Sequence, residues 1–109
     1  MANTFKLKTK ANVGVTTVGI YTAPASTTTV VIGITLANTS GAGVNVGVGI
    51  TRAGTTEDVK LLKNAPIPQG SSLEFMGGNK VVLETTDTLT VDSDTNNSVD
   101  AALTIMEIT

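Results

Sequence analysis

Apolar residues recur at every second position through much of the chain. The clearest case is Thr28 to Leu36, where Val30, Ile32, Ile34 and Leu36 share one face. Val44, Val46, Val48 and Ile50 repeat the pattern between Val44 and Thr51. A period of two sends successive side chains to opposite faces of an extended chain, so both segments are predicted as half-buried β-strands. Thr4 to Lys8 alternates likewise, with Phe5 and Leu7 opposing Thr4, Lys6 and Lys8. Shorter runs follow at Val59–Leu62, Ser72–Met76, Lys80–Glu84 and Thr88–Asp92, and a longer one at Val99–Ile108. The run from Val13 to Thr22 slips at Thr16-Thr17, which predicts a bulge or a bend.

Turn signals separate these runs. Ala23-Pro24-Ala25-Ser26, Thr55–Asp58, Gly77-Gly78-Asn79, Thr85–Asp87 and Thr95–Ser98 are rich in Gly, Pro, Asn, Asp, Ser and Thr. Asn38 to Gly43 reads as a hairpin-type loop, with Val44–Thr51 as its return strand. Pro66 and Pro68 bracket Ile67; proline cannot donate to a ladder, so Lys63–Gly70 is predicted as an extended connection between sheets. Eight or nine short strands result, with no credible helix. The expected fold is all-β: one antiparallel β-sandwich domain spanning residues 1–109, with a jelly-roll-like winding among the forms it allows. A small closed barrel is the second choice. Residues 1–10 would form an N-terminal arm or an edge strand.

The outward face of Val44–Thr51 is nearly bare, with Asn45, Gly47, Gly49 and Thr51. Strand glycine sacrifices packing and backbone entropy. Two readings stay open: close approach by another backbone, or local flexibility at a bulge. Gly33–Thr39 also resembles Gly49–Thr55, and two paired strands ending in similar turns would account for the likeness.

Composition narrows the chemistry. Charged residues make up 15% of the 109 positions and aromatics 3%, and Cys, His and Trp are absent. Disulfides, Cys/His zinc sites and Cys or His nucleophile–base pairs are thereby excluded. Asp92-Ser93-Asp94-Thr95-Asn96 begins like a calcium loop, but Asn97 and Leu103 stand where that loop needs Gly and Glu. An acidic turn is the preferred reading, with a weak cation site shared with Asp100 left open. Gly41–Gly47 has the wrong spacing for a dinucleotide fingerprint and no following helix. Glu74, Glu84, Asp87 and Asp92 could pair as acid and base, yet a sugar platform would have only Phe5, Tyr21 and Phe75 to draw on. No enzymatic activity, cofactor or metal is expected. No apolar run has membrane-spanning length. Met1–Lys10 lacks the apolar stretch of a secretory signal.

Charge is uneven. Residues 1–56 carry +4 from Lys6, Lys8, Lys10 and Arg52, whereas residues 57–109 carry −6. Nucleic-acid binding is not expected from a net −2 chain with few aromatics. Either the charges are simply solvated, or a basic edge meets an acidic edge of a neighbouring subunit.

Several stretches resemble small structural proteins of tailed-bacteriophage virions: Tyr21-Thr22-Ala23-Pro24-Ala25, Thr28 through Thr39, Leu62 through Leu73, and the ending from Val81-Val82-Leu83-Glu84 through Asp87 to Glu107-Ile108. The shared motifs are turn and strand patterns. The resemblance implies a β-sandwich that assembles on a virus particle, made in the host cytoplasm. Decoration (cementing) of the capsid is the first expectation. A ring-forming neck, tail or fibre-attachment role is the second, and a carbohydrate- or receptor-binding module the third. Expected partners are further copies of the chain, with a trimer favoured, and virion proteins such as the major capsid protein; neither nucleic acid nor membrane is a partner. Candidate contact residues are Phe5, Lys6, Lys8 and Lys10 as an arm, and Pro66, Ile67 and Pro68 as a rigid second contact.

Overall fold

A computed structural model describes residues 3–52, 57–75 and 80–109. The alternating segments form nine strands: β1 Asn3–Val13, β2 Val18–Thr22, β3 Thr28–Asn38, β4 Val44–Arg52, β5 Glu57–Ile67, β6 Ser72–Phe75, β7 Val81–Leu83, β8 Thr88–Ser93 and β9 Val99–Ile108. All pairings are antiparallel, and they nest. β4 pairs β5, β3 pairs both β6 and β7, β2 pairs β8, and β1 pairs β9. The chain is thus one long two-stranded ribbon folded at its middle and then rolled. Rolling lays β9 against β3 and β8 against β4. One sheet runs β1-β9-β3-β6, with β7 beside β6 on β3, and the other runs β2-β8-β4-β5. This is the jelly roll, with one of its eight strand positions divided between β6 and β7.

Nested pairing changes the expected connections. β3 and β4 lie in different sheets, so Asn38–Gly43 is a crossover and not a hairpin. Asn38 builds that crossover. Its amide nitrogen donates to the Ala42 carbonyl at 2.8 Å and the Ile67 carbonyl at 2.9 Å, and its side-chain oxygen accepts from the Ser40 backbone at 2.9 Å. The likeness between Gly33–Thr39 and Gly49–Thr55 therefore does not arise from paired strands. The bend expected within Val13–Thr22 is present at Val15-Thr16, and it carries the chain from the end of β1 to β2 in the opposite sheet. Lys63–Gly70 is no free connection: its first half completes β5, with Pro66 opposite Asn45. An edge strand tolerates proline because one side of its ladder needs no donor. Met76, Gly77-Gly78-Asn79 and Thr55-Thr56 lie outside the described residues.

The core is aliphatic. Leu36, Leu83, Leu89, Leu103 and Ile105 are wholly buried between the sheets with Val13, Val31, Val91 and Val99. Each such side chain contributes about 1.5–3 kcal/mol relative to exposure.

The bare face of β4 also has a packing reason. β5 shifts register against β4 on either side of Val48, and its carbonyls lie close to the outward side of the β4 glycines. A Cβ on Gly49 would sit 2.9 Å from the Val59 carbonyl oxygen, and one on Gly47 would meet the Asp92 carboxylate and lie 3.3 Å from the Leu62 carbonyl. The close approach comes from the chain's own backbone. At Gly33 a Cβ meets open space. Gly49→Ala is therefore expected to destabilise the fold by about 1–3 kcal/mol, while Gly33→Ala should be neutral or slightly stabilising. Chemical-denaturation midpoints of the two variants check this; equal midpoints would contradict the steric account.

Candidate functional site

β1 is the outermost strand of its sheet, and its register with β9 decides where its side chains point. Lys6, Lys8 and Lys10 stand opposite Ile105, Leu103 and Ala101, which are all buried. The lysines thus lie on the inner side of the sheet, at its overhanging rim. Phe5 and Leu7 stand opposite Met106 and Thr104, on the outer side. They are 69% and 66% exposed. The expected strand pattern is present, but its apolar face turns away from the core. The inner side at this rim is taken by a polar network that lysine can complete.

That network crosses the sandwich. The Tyr21 hydroxyl, on β2, donates to the Glu107 carboxylate at 2.6 Å and lies 2.7 Å from the Thr29 hydroxyl. The Lys6 ammonium reaches the other Glu107 oxygen at 2.8 Å. Tyr21, Thr29 and Glu107 are buried, so the carboxylate is compensated by a cation and a hydroxyl. Lys6 is consequently committed within the chain and pins β1 in place. The ion pair and hydrogen bond to Lys6, followed by the Tyr21 hydrogen bond, hold the Glu107 carboxyl below its usual range. Burial, then the Glu107 hydrogen bond, pushes Tyr21 up to about 12.

On the outer side, register aligns Phe5 with Met106, Met106 with Val30, and Val30 with Val82. These four form one apolar row across four strands, with Leu7 beside it. Val82 is 54% exposed. The outer side of the other sheet contrasts with it, carrying Thr22, Thr51, Thr88, Thr90, Asp92 and the β4 glycines. Beyond the row, Thr9, Thr35, Ala37 and Ala102 line a shallow depression of about 300 Å³.

The second expected contact is only partly at the surface. Pro66 and Pro68 are exposed, but Ile67 is 1% exposed and belongs to the core. Any contact here would go through the prolines. Sequence reading could not separate them, because a three-residue extended segment between Ala65 and Gln69 allows either face to turn inward.

The acidic candidates scatter. Glu74 lies on the outer side of β6, and Asp92 on β8 accepts from the Thr17 hydroxyl at 3.0 Å. Only Glu84 and Asp87 converge, and Arg52 joins them: its Nε donates to Asp87 at 3.0 Å and its Nη2 to Glu84. With Ile50, Val59 and Val82 these residues line a cleft of about 320 Å³. Asp87 also caps its own turn by accepting the Glu84 backbone N–H at 3.0 Å. Arg52 was not singled out from sequence; its partners are 32 and 35 residues away. In the Asp92–Asn96 loop, Asp94 accepts the Asn45 backbone at 3.1 Å, while Asp100 accepts that of Asn12 at 3.0 Å. Among the described residues no cluster of acidic side chains could hold a metal ion.

No family model matches the chain, and no curated protein sequence does either. Solved structures do match its fold. A chain from Bacillus endospore appendages, described as disulfide-linked pili, superposes with a TM-score of 0.57 at 17% identity, covering 99% of this chain and 87% of that one. A chain of the infectious bursal disease virus particle gives 0.59 at 13% identity over 96% of this chain, which spans only 30% of the viral one. The Gx strain of that virus gives 0.57 at 12%. The likeness is one of fold, and a disulfide link is unavailable to a chain without cysteine.

The buried network predicts how stability varies with pH. Tyr21 titrates higher folded than unfolded, so its contribution is complete below pH about 10 and fades as pH rises toward 12. Glu107 titrates lower folded than unfolded, so its contribution is present above the ordinary glutamate range and fades as pH falls through its depressed value. Tyr21→Phe should cost about 1–3 kcal/mol and flatten the alkaline limb of a stability–pH profile measured by urea denaturation. An unchanged alkaline limb would show that the hydroxyl is not linked to folding.

Proposed function

We propose that the chain is a non-enzymatic structural protein of a virus particle, and specifically a decoration (cement) protein that stabilises a phage capsid. The observation that carries this reading is the outer side of the β1 sheet. Phe5 and Leu7 are largely exposed there, and Phe5 ends the row through Met106, Val30 and Val82. Exposed contiguous apolar surface on a small domain marks a contact with another macromolecule. Glu84, Asp87, Asp92, Asp94, Asp100 and Glu107, by contrast, are engaged in turns, loop contacts, an arginine pair and a buried network, which suits a building block. The jelly roll supports the reading as well, since it superposes on part of a chain of a virus particle. On this reading the chain joins further copies of itself and the major capsid protein. It acts by burying apolar edge and face residues and by matching charge.

A second reading is a neck, tail or fibre part assembled head to tail. The likeness to a pilus chain over 99% of this sequence favours it. Quantitative mass spectrometry of purified particles separates the two. A copy number equal to the major shell subunit, or a simple fraction of it, is expected for decoration. A few copies per particle would support the second reading, and absence from particles would overturn both.

A further inference from the structure

The sheet edges are guarded unequally. β2 is 5 residues long and shifts register between Gly19 and Tyr21. β6 and β7 have only 4 and 3 residues. β5 is longer, but it carries Pro66, two register shifts, and Asn64 in the left-handed region at φ 54°. Short length, bulges and proline each discourage pairing with a foreign strand. β1 carries no proline, and its one register shift, beside Asn12 at φ 59°, lies beyond Lys10. It spans 11 residues without proline and keeps unbroken register with β9 from Asn3 to Lys10. Its free side therefore offers a straight row of backbone donors and acceptors.

The side chains of β1 select what can pair there. Two copies meeting about a two-fold axis in antiparallel fashion keep the same faces together. Centred on Leu7, that arrangement sets Lys6 opposite Lys8 of the second copy, and every other centre also gathers lysines on one face. Like charges placed opposite each other disfavour self-pairing. An acidic strand gains instead. Lys6 is held by Glu107, but among the described residues Lys8 and Lys10 have no acidic partner at ion-pair distance. On the other face, Phe5 ends the apolar row, so an added apolar residue would extend it by one strand.

We propose that the free edge of β1 captures an extended segment of a partner protein in which acidic residues alternate with apolar ones, adding a strand to the sheet. The acids face Lys8 and Lys10, and the apolar residues lie beside Phe5 and Leu7. Main-chain hydrogen bonds supply affinity, and alternate side chains supply specificity. The inference rests on the assembly reading only for the source of the segment. Particle composition tests that reading and strand capture tests this one, so either can fail alone.

The test uses the full chain and a ten-residue peptide of alternating Glu and Val. Controls are an alternating Lys–Val peptide and a block peptide of five Glu followed by five Val. Fluorescence anisotropy is expected to show binding of the Glu–Val peptide alone, with new amide-exchange protection confined to β1. Combining Lys8→Glu with Lys10→Glu should weaken that binding by about tenfold and admit the Lys–Val peptide. Should charge reversal impair folding, Lys8→Gln with Lys10→Gln gives the same test with a smaller loss. No binding of the Glu–Val peptide, equal binding of the block peptide, protection away from β1, or indifference to the lysine changes would each overturn the proposal.

Discussion

A core built mainly from Val, Ile and Leu, with Tyr21, Ala23 and Ala101, must be closed on two sides, because each strand offers a single apolar row inward. Two sheets laid face to face satisfy this, and the nested pairing lets one chain supply both. β9 and β3 provide the central rows of one sheet, β8 and β4 those of the other. The remaining features follow from which strands are left at the margins. Central strands bury one full side, whereas the overhanging β1 buries only Val13 at its end. A margin strand is free to turn its apolar residues outward, and β1 does.

The Tyr21–Glu107–Lys6 network is the counterpart of that freedom. At this end of the sandwich the inner side of β1 faces not an aliphatic layer but a buried carboxylate, and lysine answers it. A buried charge with both a cation and hydroxyls around it costs little, while the same charge left alone would cost several kcal/mol. The network thus fixes the facing of the whole strand. Once Lys6 points inward, alternation obliges Phe5 and Leu7 to point out. An interaction concerned with folding thereby sets the chemistry of the surface.

The two outer sides differ accordingly. One sheet presents threonine, aspartate and glycine, the latter forced by the close carbonyls of β5. The other presents an apolar row ending at the long β1 edge. The two outer sides are thus polar on one sheet and partly apolar on the other. Chemistry is concentrated neither at the Arg52 cleft, where cation and carboxylates neutralise one another, nor in the Asp92–Asn96 loop, where they brace the backbone.

Sequence by itself determined the strand class and much of the strand placement, because period-two alternation and turn residues act over a few positions. It determined the aliphatic core of β4, β8 and β9 for the same reason, but not that of β3, where a register shift between Val31 and Gly33 buries Val31 with Ile34 and Leu36 and leaves Val30 and Ile32 out of the core face expected for them. It also excluded cysteine and histidine chemistry. Tertiary structure decided what depends on distant partners. The hairpin expected at Asn38–Gly43 became a crossover because Asn38 bonds to the end of β5, 29 residues away. Ile67 turned inward while its neighbouring prolines stayed out. The facing of β1, and with it the exposure of Phe5 and Leu7, followed from Glu107 at the far end of the chain. Alternation shows that a strand has two faces, but only the partners brought by folding decide which face meets the core.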